Sequence, residues 1–259
     1  MNYEFLLCTI ENKVALVTIS HHPGNKLNTQ VYQELTKLME ELEADANVQA
    51  IIITGDGNEA FVAGADIVEI AGLDTVGMMD LTQITRIAFS KIENLRKPVI
   101  AAINGEARGG GFELALSCDL RIASQNAQFA FPEINLGVIP GGGGTQRIQK
   151  VVGQGTAKEL LYFGEIIDAY RAYELQIVNK VVPQGELLST AKKWAEKLAQ
   201  KAPVALRMMK LAVNTGSNVD LESALTIEAT CYDGAFATKD CKEGMAARLE
   251  NRKPNYIGK

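Results

Sequence analysis

Asn104-Gly105-Glu106-Ala107-Arg108-Gly109-Gly110-Gly111-Phe112-Glu113-Leu114-Ala115 is the stretch on which the reading of this chain turns. Three glycines ahead of the apolar run Phe112-Glu113-Leu114-Ala115-Leu116 predict a tight turn that feeds straight into a helix. If the helix starts near Gly110, its first-turn N–H groups lack intrahelical acceptors and carry the positive end of the macrodipole, so they stabilise an oxygen anion. Glu113 follows Gly110 by about one turn on the same face. The spacing therefore predicts a donor amide and a carboxylate around one small volume. The competing reading is a plain turn, with Glu113 as a first-turn acid that offsets the dipole by about 0.3–1 kcal/mol.

A second acid stands in Phe131-Pro132-Glu133-Ile134-Asn135-Leu136-Gly137, which runs on into Pro140-Gly141-Gly142-Gly143-Gly144. Phe129 to Phe131 read as a short buried strand that Pro132 stops, leaving Glu133 at a loop entrance, where functional acids commonly sit. Taken alone, Glu133 reads better as a solvated loop acid. The four-glycine run changes the balance, because it is costly in backbone entropy unless the backbone must approach something closely. Two carboxylates beside freed amides suit acid/base chemistry on a carbonyl compound.

Around these segments, Val14-Ala15-Leu16-Val17-Thr18-Ile19, Ala50-Ile51-Ile52-Ile53-Thr54, Pro98-Val99-Ile100-Ala101-Ala102-Ile103 and Leu120-Arg121-Ile122-Ala123 read as strands. Residues 30–43 and 77–94 have helical apolar spacing, and the alternation indicates an α/β layered core. From Gly144 on, 145–152, 156–163, 187–200, 203–214 and 221–235 read as helices, with 177–182 the only strand candidate. The texture changes near Gly155 or slightly later, and the chain divides into an α/β core with the site, 1–190, and a helical region, 191–259. No repeat emerges from the sequence by itself.

A chain of 259 residues at 47% hydrophobic buries a sizeable core, and its net charge of −5 argues against nucleic acid as a partner. No apolar stretch approaches the roughly 20 residues that span a bilayer. Met1-Asn2-Tyr3-Glu4-Phe5 lacks the basic start of a leader, so a cytoplasmic protein without a membrane partner is expected. Cys8, Cys118, Cys231 and Cys241 form no C-x-x-C pair, which suggests neither a zinc site nor a disulfide framework. Cys118 reads as a small buried thiol rather than a nucleophile. Leu114 and Gln146 stand where a dinucleotide loop needs its third glycine, and no lysine follows the later glycines as a phosphate loop requires. His21 and His22 are adjacent and do not converge on one face, so no metal is expected, and Arg121 and Arg147 read as structural or surface pairs.

The segment 104–115, then Cys118-Asp119-Leu120-Arg121-Ile122-Ala123, then Phe129-Ala130-Phe131-Pro132-Glu133 through Gly144-Thr145-Gln146-Arg147 resembles the crotonase (enoyl-CoA hydratase/isomerase) family. Phe61-Val62-Ala63-Gly64-Ala65-Asp66-Ile67 resembles its other oxyanion loop. Ala235 to Asp240, Glu243-Gly244-Met245 and the Arg252-Lys253-Pro254-Asn255-Tyr256 tail extend the likeness along nearly the whole chain. The resemblance implies a spiral of β-β-α turns with a helical C-terminal region that assembles trimers or hexamers. It also implies hydration of a trans-2-enoyl-CoA to a 3-hydroxyacyl-CoA, as in fatty-acid β-oxidation, with no cofactor beyond the CoA of the substrate. Its oxyanion amides fall on Ala65 and Gly110, and its catalytic acids on Glu113, as base, and Glu133, as acid. The CoA adenine strip falls on the backbone of Ala63, Ala65, Asp66 and Ile67, and a water-positioning amide on Gly141. Met78 and Met79 fall in the segment bordering the acyl pocket.

The chain departs from the family pattern at Glu106, Arg108 and Val68, and at Asn251, where a basic residue often contacts CoA phosphate and Arg252 or Lys253 must substitute. Glu106 and Arg108 read as an ion pair, with a sharper alternative in which Arg108 reaches the acyl pocket and favours an acidic acyl chain. The resemblance leaves open isomerisation or dehydration of a functionalised acyl-CoA. RNA binding is the non-enzyme alternative, but the basic runs Lys192-Lys193 and Lys239 to Lys242 are diluted by Glu196, Asp240 and Glu243.

Overall fold

Strand β1 (Leu6–Glu11) pairs antiparallel with β2 (Val14–Ile19) through Asn12 and Lys13, both at positive φ, the geometry of a tight two-residue hairpin. The computed structural model describes residues 3–259, so the leader expectation rests partly on Met1 and Asn2, which lie outside the described residues. Asn28 caps α1 (Thr29–Ala44) by accepting from the Val31 N–H, and the helix buries Val31, Tyr32, Leu35, Leu38, Met39 and Leu42 at helical spacing.

From there the chain repeats one unit, strand–strand–helix. The first unit is β3 (Ala50–Gly55), β4 (Ala60–Val62) and the helices α2 (Ile67–Ala71) and α3 (Thr75–Glu93). The second is β5 (Val99–Ile103), β6 (Glu106–Arg108) and α4 (Gly110–Ser117). The third is β7 (Leu120–Ser124), β8 (Gln128–Ala130), a 3-10 turn at Pro132–Leu136 and α5 (Gly144–Phe163). Each unit adds one parallel strand to a large sheet, ordered β1-β2-β3-β5-β7-β10, and one to a small sheet, ordered β4-β6-β8-β9. This is the expected spiral of β-β-α turns. The repeat is invisible in sequence because the small-sheet strands are only three residues long, too short to show a period.

The remaining elements are β9 (Ile167–Asp168), α6 (Ala169–Glu174), β10 (Lys180–Val182), α7 (Leu187–Ala199), α8 (Pro203–Gly216), α9 (Leu221–Phe236) and α10 (Lys239–Leu249). The strand expected over 177–182 is shorter because Ile177 and Val178 are buried in the turn after α6, where the Ile177 N–H donates to Ala172. The two-residue β9 is a second strand in this half. Helix α5 breaks at Gly153 (φ 77°, ψ 164°), which separates the two helical segments expected there.

The main core lies between the sheets and α1, α3 and α4, and its largest side chains are Phe61, Phe89, Phe112, Phe129 and Phe131. Phe112 and Phe131 stack with centroids 4.5 Å apart, fixing α4 against the strand that leads to Glu133. On the other face of the large sheet, α7 sets Leu187, Ala191 and Ala195 on Ile52, Ile100 and Ile122. The boundary expected between 190 and 191 thus falls inside α7, which packs on the sheet along its length. Beyond α7, α8 buries no residue fully and α9 only Cys231, while Met209, Val213, Leu221, Leu225, Tyr232 and Phe236 are exposed.

Candidate active site

Gly109, at φ 48°, turns the chain from β6 into α4, and no side chain caps the helix. The Gly110 N–H donates to no described residue. Across from it, Leu27 and Ala65 form a parallel bridge in which the Leu27 N–H donates to Gly64 and the Asp66 N–H donates to Leu27. That alternation points the Ala65 N–H away from Leu27, and it too has no acceptor among the described residues. A Cβ built on Gly110 would lie 3.8 Å from the Ala65 nitrogen, so the two free amides border one volume.

Glu113 projects from the first turn of α4 and is 3% exposed. Its Oε1 accepts from the Gly142 N–H at 2.8 Å and the Gly144 N–H at 2.7 Å. This accounts for the glycine run. A Cβ on Gly142 would lie 2.7 Å from Glu113 Oε2 and 2.7 Å from the Phe89 ring, and one on Gly144 would lie 2.7 Å from the Phe131 ring. The backbone must approach something, and what it approaches is the carboxylate. Arg147 braces this loop, donating to the Gly142 carbonyl at 2.8 Å and pairing with Glu93 at 2.7 Å. From sequence Arg147 reads as a generic pair, because the Glu93 contact that lets it brace the loop lies far along the chain.

Burial pushes Glu113 above the usual carboxylate range, while the glycine amides and Arg147 favour its ionised form. Glu133, on the 3-10 turn, is pushed up to about 7, by burial first and then by the charge of Glu113. Its Oε2 is buried without a hydrogen-bond partner, and its Oε1 would lie 2.9 Å from a Cβ on Gly109. The two acids therefore flank the entry to α4 in unlike environments, one gripped by glycine amides and one with a buried oxygen left unpaired.

The other expected residues separate into those that border this volume and those that do not. The carbonyls of Ala63 and Ala65 accept from no described residue and stay open along the strip. Asp66 is committed locally: its Oδ1 accepts from the Val68 N–H and caps α2, and its own N–H donates to Leu27. The Ile67 side chain is exposed. Gly141 is exposed directly before the loop amide that holds Glu113. Met78 and Met79 line a cleft with Ile70, Leu73 and Val138. Arg108 takes the ion-pair reading. It pairs with Glu106 at 2.8 Å and lies 3.4 Å from Gln128 Oε1, because strand alternation turns Ala107 to the core and its two neighbours the other way. Arg252, considered as a phosphate contact, is engaged by Glu243 and Glu250. Burial pushes the Cys118 thiol up to about 12, so it stays protonated. Among the described residues no helix is long and apolar enough to cross a membrane.

Two free amides beside one buried and one half-buried carboxylate are the grouping that suits acid/base chemistry on an acyl compound. A family profile described as enoyl-CoA hydratase/isomerase matches residues 9–259. A short-chain-enoyl-CoA hydratase of Clostridium acetobutylicum is 45% identical over 94% of each chain, and a crotonyl-CoA hydratase of Syntrophomonas wolfei is 44% identical over 100% of each. The crystal structure of an enoyl-CoA hydratase from Bacillus anthracis superposes with a TM-score of 0.96 at 39% identity, covering 99% of this chain and 100% of that one. The chain belongs to the enoyl-CoA hydratase/isomerase family.

Proposed function

We propose that the protein reversibly hydrates short-chain trans-2-enoyl-CoA thioesters to 3-hydroxyacyl-CoA. The observation that carries this reading is the pairing of unlike acids beside two free amides. The thioester oxygen sits on the Ala65 and Gly110 N–H groups, and a water lies between the carboxylates. Glu113, whose amide partners favour the carboxylate, takes a proton from that water as its oxygen bonds to C3. The electron pair of the C2–C3 double bond moves toward the thioester oxygen, and the amides stabilise the enolate, each worth on the order of 3–4 kcal/mol of barrier. Glu133, holding its proton near neutrality, delivers it to C2 as the carbonyl re-forms. Exchange with solvent then resets both acids. Pairs of groups whose environments push their protonation apart mark acid and base in this way.

The names of the Clostridium and Syntrophomonas relatives favour a four-carbon or similarly short acyl chain. The open carbonyls of Ala63 and Ala65, with the loop through Asp66 and Ile67, offer backbone acceptors for the CoA adenine, and Gly141 offers a donor to the water. Coenzyme A enters only as part of the substrate, and no other cofactor takes part. The exposed apolar faces of α8 and α9 favour a homotrimer or a dimer of trimers. Turnover of C4 to C12 trans-2-enoyl-CoA substrates tests the reading: hydration should be fastest at the short end, and no hydration of any member contradicts it.

A further inference from the structure

We propose that the Tyr32 hydroxyl is a third hydrogen-bond donor to the thioester oxygen, completing the pocket formed by the Ala65 and Gly110 amides. The proposal rests on the hydration reading above and adds a catalytic residue to it.

Tyr32 lies in the first half of α1, far from the site in sequence, and is 3% exposed. Its ring packs edge-on against Phe89 with centroids 5.7 Å apart, which fixes where the hydroxyl points. That hydroxyl lies 3.2 Å from the position of a Cβ on Gly110, the same point that lies 3.8 Å from the Ala65 nitrogen. Phenol and free amides therefore border one space. Buried tyrosine hydroxyls normally find a partner, and here the Thr85 hydroxyl hydrogen-bonds the phenolic oxygen in the sense that favours the phenolate, as a donor to it. A buried phenol that accepts from Thr85 keeps its own O–H to donate, and beside the oxyanion pocket that O–H is suited to an oxygen that arrives with the substrate.

The surrounding groups keep it a donor. Burial raises the phenol above its ordinary range, the carboxylates of Glu113, Glu69 and Glu133 add to the effect, and the Thr85 hydroxyl pulls the other way without reversing it. The O–H therefore stays protonated at any pH where the enzyme works. Its hydrogen bond strengthens as charge builds on the thioester oxygen, so it lowers the barrier more than it improves substrate binding.

Tyr32→Phe keeps the ring and its packing and removes only the O–H. The expected result is a 10- to 100-fold loss of kcat on crotonyl-CoA with KM changed by less than about threefold, at an unchanged melting temperature. The direct readout is the thioester carbonyl stretch of bound butyryl-CoA, which cannot be hydrated, by infrared difference spectroscopy. In the natural protein the stretch should lie at lower frequency than in Tyr32→Phe. Equal frequencies in the two proteins overturn the proposal, whether or not kcat falls, since a loss without a shift makes Tyr32 a packing residue. A natural protein that fails to hydrate crotonyl-CoA instead overturns the hydration reading, and the butyryl-CoA spectrum still reads the bond.

Discussion

Gly142→Ala places one methyl group where three elements meet. The added carbon lies 2.7 Å from Glu113 Oε2, 2.7 Å from a ring carbon of Phe89 and 2.9 Å from the Thr85 methyl. Glu113 and Phe89 are fully or almost fully buried on α4 and α3, so neither can swing clear toward solvent. Relief must come from moving the loop, which breaks the Gly142 N–H bond to Glu113, or from turning the carboxylate. Overpacking of this kind costs about 1–3 kcal/mol. A displacement of roughly 1 Å at the general base costs on the order of 10² in rate. Gly141→Ala is the stability control, since nothing lies within 4 Å of its added carbon. Thermal melts followed by circular dichroism, with crotonyl-CoA turnover measured on the same samples, should show Gly142→Ala melting lower and at least about a hundredfold slower, while Gly141→Ala melts like the parent. A Gly142→Ala protein that melts and turns over like the parent refutes the claim that the glycine run exists to hold Glu113.

Because Glu133 must carry a proton to act as acid and is raised to about 7, hydration kcat/KM should fall as pH rises through about 7. The low-pH limb should lie above the ordinary range of a carboxylate, since Glu113 must be ionised and is also raised; a rate flat from pH 5 to 9 contradicts both assignments. Glu133 binds its proton more tightly folded than unfolded, so its contribution to stability is present below about 4.5 and lost as pH rises to about 7. Urea titrations should therefore show Glu133→Gln gaining about 1–2 kcal/mol over the parent at pH 8 but not at pH 4, after allowance for partial solvent access. Gly110→Val crowds Tyr32 and Leu27 at the oxyanion site: it should fold by circular dichroism yet turn over crotonyl-CoA at least tenfold more slowly, and full activity removes that amide from the mechanism. Arg108→Leu should leave the ratio of kcat/KM for crotonyl-CoA and glutaconyl-CoA unchanged, and a selective loss on the acidic substrate would restore a pocket role for Arg108.

Features whose signal is local were legible in the sequence. The Gly109–Gly111 turn, the helix from Gly110 and the wholly buried strands β3 and β5 follow from glycine placement and unbroken apolar runs. The positions of Glu113 and Glu133 followed because each is tied to a nearby structural break. What escaped depends on partners distant along the chain. The target of the glycine run is a carboxylate some thirty residues earlier. Tyr32 sits on the apolar stripe of α1 and looks like any core aromatic until the fold brings Gly110 to it. The Asp66 carboxylate closes an N-cap, a use its place ahead of α2 allows and the sequence reading does not name. Helix α10 went unexpected because charges are spread around it, leaving little periodic contrast.

The central claim is that two glutamates exchange the two protons of hydration, and turnover of crotonyl-CoA by Glu113→Gln and Glu133→Gln tests it most directly. The amide keeps the shape of each side chain but exchanges no proton near neutral pH. Each variant should therefore lose at least about a hundredfold in kcat while binding an acyl-CoA with near-natural affinity. Near-natural hydration by either variant contradicts the two-glutamate mechanism.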